Sequence, residues 1–105
     1  MTHIPRMAAA VLALASVAAQ AQDWTLARSL AATCATCHGT NGAARGEMKS
    51  LAGVPADKLV SMVAEYKNGN QPASIMHQIS KGYSEDQIKL IAAYFAAQQP
   101  QKAAP

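Results

Sequence analysis

Apolar positions recur at helical spacing between Asp23 and about Thr33. Leu26 and Leu30 stand at i and i+4, and Ala27 and Ala31 widen the stripe. Asp23 suits the cap or first turn of that helix. The pattern stops at Gly39, and Asn41, Gly42 and Gly46 make the stretch to about Val54 mostly loop. Pro55 and Asp57 then open a second helix with Leu59, Met62, Val63 and Tyr66 along one face, closed by Asn68-Gly69-Asn70. A loop through Gln71 and Pro72 leads to a short apolar turn at Ile75, Met76 and Ile79, ended by Gly82. The last helix has the fullest signals: Ser84 as N-cap with Gln87 three residues on forms a capping box. Glu85 and Asp86 complement the positive end of its dipole. Ile88, Ile91 and Phe95 form its stripe, widened by Leu90 and Tyr94. No segment alternates like a strand and no repeat appears, so the pattern predicts an all-α domain.

The first residues follow a different logic. His3 and Arg6 precede an apolar run from Met7 to Ala19, and Ala19-Gln20-Ala21 is an A-x-A cleavage pattern. A membrane-spanning helix wants about 20 apolar residues, and this run is several short of that. Residues 1–21 therefore read as a cleavable secretory signal rather than an anchor. The domain is 22–105, with an ordered core over about 22–98 and a frayed tail through Gln101–Pro105. No later segment is apolar enough to span. Export places the chain in an oxidising compartment, the periplasm.

Length and charge then narrow the field. The chain has 105 residues, which points to one domain. The formal charge is +3, and nine Lys and Arg are spread thinly, without the basic runs interleaved with aromatics that nucleic-acid binding favours. Alanine supplies much of the apolar content, and Trp24, Tyr66, Tyr83, Tyr94 and Phe95 are the only aromatics. A domain this small and poor in large side chains buries little core and gains from a staple or a bulky cofactor.

The two cysteines supply the candidate chemistry. Cys34 and Cys37 stand three apart, and His38 follows directly. A zinc site needs four ligands, and after the signal only His38 and His77 remain. A thioredoxin-like dithiol expects a preceding strand in a βαβ unit, whereas a helix precedes this pair. A disulfide here closes a tiny loop and restrains the unfolded chain very little. Covalent haem attachment uses every part of C-x-x-C-H. The thiols form thioethers with the two vinyl groups, and His38 is carried under the iron as the proximal ligand. The macrocycle also supplies the missing apolar bulk.

A second axial ligand, if there is one, comes from Met48, Met62, Met76 or His77. Met62 lies on the stripe of the second helix, where core filling is its ordinary role. Met48 is ten residues past His38, a short path around a ring. Met76 sits in the loop before the last helix, far enough along to reach the opposite face. His77 reads as a surface residue, adjacent to Met76 but pointing differently.

A resemblance enters with C-A-T-C-H-G-T-N-G at 34–42, S-L-A-G at 50–53, and S-I-M-H-Q-I-S-K-G-Y-S at 74–84 before I-A-A-Y-F at 91–95. Over essentially all of Gln22 to Gln98 the chain resembles the class I c-type cytochromes. Within them it is most similar to small cytochromes of the c-553 kind and the cytochrome subunit of flavocytochrome c sulfide dehydrogenases. The resemblance implies three or four helices around one covalent haem c, with the N- and C-terminal helices packed across each other. It carries thioether linkage onto Cys34 and Cys37, proximal ligation onto His38 and distal ligation onto Met76. Many relatives place a proline before S-L-A-G, whose carbonyl accepts the proximal histidine's ring N–H; here Lys49 holds that place.

His/Met ligation saturates the iron and leaves one-electron exchange as the chemistry. Two roles follow: a periplasmic shuttle between redox proteins, or the haem subunit of a sulfide dehydrogenase fed by a flavoprotein. Neither makes the chain itself an enzyme. Lys49, Lys67 and Lys81 are candidates for a docking face, and Tyr66 and Tyr83 for contacts to the ring or its propionates.

Overall fold

The computed structural model describes residues 6–100, and within them the chain is helical without strands. Four α-helices follow in order: α1 (Arg6–His38), α2 (Ala56–Asn68), α3 (Met76–Ile79) and α4 (Glu85–Ala96). Short 3-10 turns stand at Thr40–Gly42 and Ser80–Gly82. The head of the expected leader and the expected frayed tail at 101–105 lie outside the described residues.

The first helix is longer than its periodicity predicts. A helix over Asp23 to about Thr33 is expected, yet α1 runs unbroken from Arg6 to His38. The reason is local: no glycine or proline interrupts this alanine-rich stretch, and alanine is the strongest helix former. Gly39 ends it. Its N–H donates to the Ala35 carbonyl at 2.9 Å, and its φ of 86° turns the chain out of the helix. A Cβ there would collide with the Ala43 backbone.

The buried face of α1 is also rotated from the leucine stripe. Ala27 and Ala31 are each 1% exposed and Leu30 is half-buried, while Leu26 is 49% exposed. Small side chains at the contact let α4 cross α1 closely, and Phe95, also 1% exposed, fills the space between. Trp24 packs on Tyr94 with ring centroids 5.3 Å apart, and Tyr94 meets Phe95 edge-on at 5.6 Å.

The other helices form as the sequence predicts. Ser84 caps α4 in a reciprocal box: Gln87 N–H donates to Ser84 Oγ at 3.2 Å, and Ser84 N–H donates to Gln87 Oε1 at 2.9 Å. Ile88, Ile91, Ala92, Tyr94 and Phe95 are its buried residues. In α2, Leu59 is buried with Met62, Val63 and Tyr66 half-buried beside it. The helix ends at Gly69 in the left-handed conformation. It packs on α3 and α4.

The loop between α1 and α2 is tied to the C-terminal helix. Tyr94 Oη donates to Asn41 Oδ1 at 2.7 Å, and Gly53 N–H donates to the Phe95 carbonyl at 2.9 Å. Gly42 is buried against this seam. Its carbonyl accepts from Leu51 and Ala52 N–H at 2.8 and 3.2 Å, and a Cβ there would stand 2.7 Å from the Phe95 ring. Among the described residues, no helix is long and apolar enough to cross a membrane.

Candidate functional site

The helices enclose a cavity of about 670 Å³. Its floor is apolar, with Leu59 from α2 and Ile88, Ile91 and Phe95 from α4. Its mouth carries exposed polar groups such as Glu47, Lys49, Ser50 and Lys58. Cys34, Cys37 and His38 enter from the end of α1, and Met76 from the first turn of α3. One space thus gathers residues from both ends of the domain.

No disulfide joins the cysteines; Cys34 is half-buried and Cys37 exposed. Burial pushes the Cys34 thiol up, with a smaller opposing pull from Thr33. Cys34 also stands near the C-terminal end of a helix, where the dipole disfavours a thiolate. Reactive dithiols have the opposite environment, a depressed pKa at a helix N-terminus. Cys34 thus lacks the environment of a reactive dithiol, and the two sulfurs stand unbridged on the last turns of one helix. Among the described residues, no three His, Cys, Asp or Glu side chains come together as a cation site.

His38 is held by the loop that follows. Its Nδ1 lies 2.7 Å from the Lys49 carbonyl oxygen. A carbonyl only accepts, so Nδ1 carries the proton and Nε2 keeps the lone pair in the neutral ring. The Lys49 backbone thus provides the acceptor that the resemblance assigns to a proline at this place. Ser50 braces the loop by accepting from Ala44 N–H at 3.0 Å.

All three methionines considered for the distal side, Met48, Met62 and Met76, line the cavity. Met48 is 46% exposed, on the loop that also carries the His38 acceptor, while Met62 and Met76 are half-buried. His77 does not line the cavity, and the expectation of a plain surface residue needs correction. It is half-buried, and its Nδ1 is buried without a hydrogen-bond partner. One step along α3 from Met76 carries it away from the cavity wall.

Tyr83 and Tyr66 both line the cavity. The Tyr83 hydroxyl is 2.6 Å from Thr33 Oγ1, which ties the start of the last helical segment to α1 beside Cys34. Lys67 is not a free docking charge, as its position in the sequence suggests. It is half-buried, and Nζ donates to the Tyr83 carbonyl at 2.8 Å. Lys49 and Lys81 remain exposed. The residue that sequence reasoning passed over is Ser80: 1% exposed, lining the cavity, with its hydroxyl unpartnered. Its spacing of four from Met76 is the only sequence signal that marks it.

The family model described as Cytochrome c matches residues 26–99. The chain belongs to the cytochrome c family. Members of this family carry covalently attached haem c and work as electron carriers. The chain is 35% identical over 66 residues to the cytochrome subunit of sulfide dehydrogenase from Chlorobaculum tepidum, a match covering 63% of this chain and 60% of that one. It is 34% identical over 71 residues to cytochrome c-554(548) of Halomonas halodenitrificans, covering 64% and 86% respectively. Cytochrome c-552 of Acidithiobacillus ferridurans is 31% identical over 64 residues, covering 61% of this chain and 28% of that cytochrome. The chain thus spans less than two thirds of the first and third of these relatives.

The residues present fit haem c. The cavity offers an apolar floor and two unbridged thiols on one turn. It also offers an imidazole with its tautomer fixed and a thioether from another element. A buried hydroxyl among the lining residues lacks any protein partner.

Proposed function

We propose that this protein is a periplasmic one-electron carrier holding one haem c through thioethers at Cys34 and Cys37, with His38 as proximal and Met76 as distal ligand. The observation that carries the reading is the convergence of these four residues, three from the end of α1 and one from α3, on one apolar cavity. Haem c, when bound, supplies reversible one-electron exchange between Fe(III) and Fe(II).

The chain's residues divide the work around it. Cys34 and Cys37 would anchor one edge of the ring, so retention does not depend on equilibrium affinity. The Lys49 carbonyl holds the His38 imidazole in one tautomer and one orientation. Leu59, Ile88, Ile91 and Phe95 exclude water from the floor, which disfavours the more highly charged oxidised state. Met76, a soft sulfur donor, would support the reduced state further and leave no position for substrate. Cys37, Lys49 and Lys58 are exposed at the cavity mouth, where a redox partner protein can approach.

Removal of the signal after Ala21 belongs to this reading. The buried core of α1 begins at Ala27 among the described residues, and Ala21 and Gln22 are exposed. Cleavage therefore leaves the described core residues in place.

Purification from the periplasm tests these points together. The expected product starts at Gln22, keeps its haem through acid–acetone extraction, and shows the weak long-wavelength band of methionine-ligated ferric haem. Extractable haem would refute the thioethers, and a missing band at neutral pH would refute Met76 as ligand.

A second reading rests on the similarity to the sulfide dehydrogenase cytochrome subunit. In it the chain receives electrons from a flavoprotein partner and passes them to a further acceptor. Co-purification of a flavin-containing subunit would select it; a flavin-free monomer would select the free shuttle.

A further inference from the structure

Ser80 is 1% exposed, and its Oγ has no hydrogen-bond partner. Hydroxyls on helices commonly satisfy themselves on a carbonyl one turn back, and this chain does so repeatedly. Thr25 Oγ1 donates to Ala21 at 2.9 Å, Ser29 Oγ to Thr25 at 3.0 Å, and Thr33 Oγ1 to Leu30 at 2.8 Å. Ser80 has the Met76 carbonyl in the same relation and uses only its backbone N–H on it. The hydroxyl is left over in a buried place where leaving a donor unpaired is costly.

Its surroundings limit what can receive it. Ser80 and Met76 line the same cavity, and Ser80 has helical φ and ψ of −59° and −31° at the end of α3. Residues at i and i+4 share a helix face, and side chains lean toward the helix N-terminus. The Ser80 and Met76 side chains thus belong to one face of the chain, one helical turn apart, beside the same cavity. A thioether sulfur only accepts, weakly, so the hydroxyl must be the donor.

We propose that Ser80 is a positioning residue for the distal ligand: its hydroxyl donates to the Met76 sulfur in the haem-loaded protein and raises the reduction potential. The inference rests on Met76 being the distal ligand. A hydrogen bond draws electron density from the sulfur, the sulfur then stabilises Fe(III) less, and the equilibrium moves toward Fe(II). The bond also selects one orientation of the sulfur.

The test compares Ser80→Ala in two haem-loaded backgrounds, the natural chain and Met76→His, by potentiometric titration with mediators. In the natural background Ser80→Ala is expected to lower the reduced-to-oxidised ratio at fixed applied potential by about three- to tenfold. Tenfold corresponds to about 59 mV for a one-electron couple. The long-wavelength band should persist but shift. In the Met76→His background the same substitution should leave the potential unchanged, because the acceptor sulfur is gone. Ser80→Cys, with a weaker donor, should fall between Ser and Ala.

An equal shift in both backgrounds would overturn the proposal in favour of a bond to a propionate or trapped water. An unchanged potential in Ser80→Ala with its band intact would overturn it outright. A natural chain lacking the band would instead refute Met76 as ligand, a failure distinguishable from that of Ser80.

Discussion

The two walls of the cavity are made in different ways. On the wall formed by α1, Cys34, Cys37 and His38 share the last turns of one long helix, and the loop behind them is tied down by backbone bonds at Gly39 and Gly42 and by the His38 ring on the Lys49 carbonyl. On the opposite wall Met76 starts a four-residue helix with no side-chain cap, preceded by exposed residues from Gly69 to Ile75. The first wall is specified within a few residues of sequence. The second depends on α2 and α4 to hold it in place. In the proposed reading, attachment and proximal geometry would thereby be separated from the distal contact, so the distal side could vary while the anchor stays constant.

Breaking the first wall should have the largest effect. Replacing Cys34 and Cys37 together by Ala should abolish covalent haem, read as complete loss of haem staining on a denaturing gel. On the second wall, Met76→Ala should remove the long-wavelength band entirely while leaving haem staining unchanged. If staining falls as well, the two walls are not separable.

A smaller, purely structural effect is expected at Gly42. Gly42→Ala places a methyl 2.7 Å from the Phe95 ring at a φ of 79°. Strain and overpacking together should cost about 3 kcal/mol, measured as a lowered denaturation midpoint with an unchanged spectrum at low denaturant. Smallest is Ser84→Ala, which removes the reciprocal cap at the start of α4, just beyond the second wall. It should cost about 1 kcal/mol, with the haem spectrum unaltered.

The same division explains what could be read from the sequence. C-x-x-C-H, the α4 capping box and the Gly69 stop are local signals, and each element stands where its residues predict. The true buried face of α1 is not local. Ala27 and Ala31 outrank Leu26 because α4 crosses there, and helical periodicity cannot report which side a partner takes. Lys67 looks like a surface charge until the fold brings it to the Tyr83 carbonyl, and the burial of His77 likewise needs the packed fold. The length of α1 escapes periodicity for another reason: its first half is a helix-forming, alanine-rich run with no apolar stripe set against polar positions.

The tie between α4 and the rest of the domain bears on the order of events in biosynthesis. Ile88, Ile91 and Phe95 form the cavity floor, and the Phe95 carbonyl closes the loop before α2. The cavity therefore has no floor until nearly the whole polypeptide has been made. The C-x-x-C-H segment, complete at His38, exists long before that. A group held on this segment would be enclosed on its floor side only once α4 has docked.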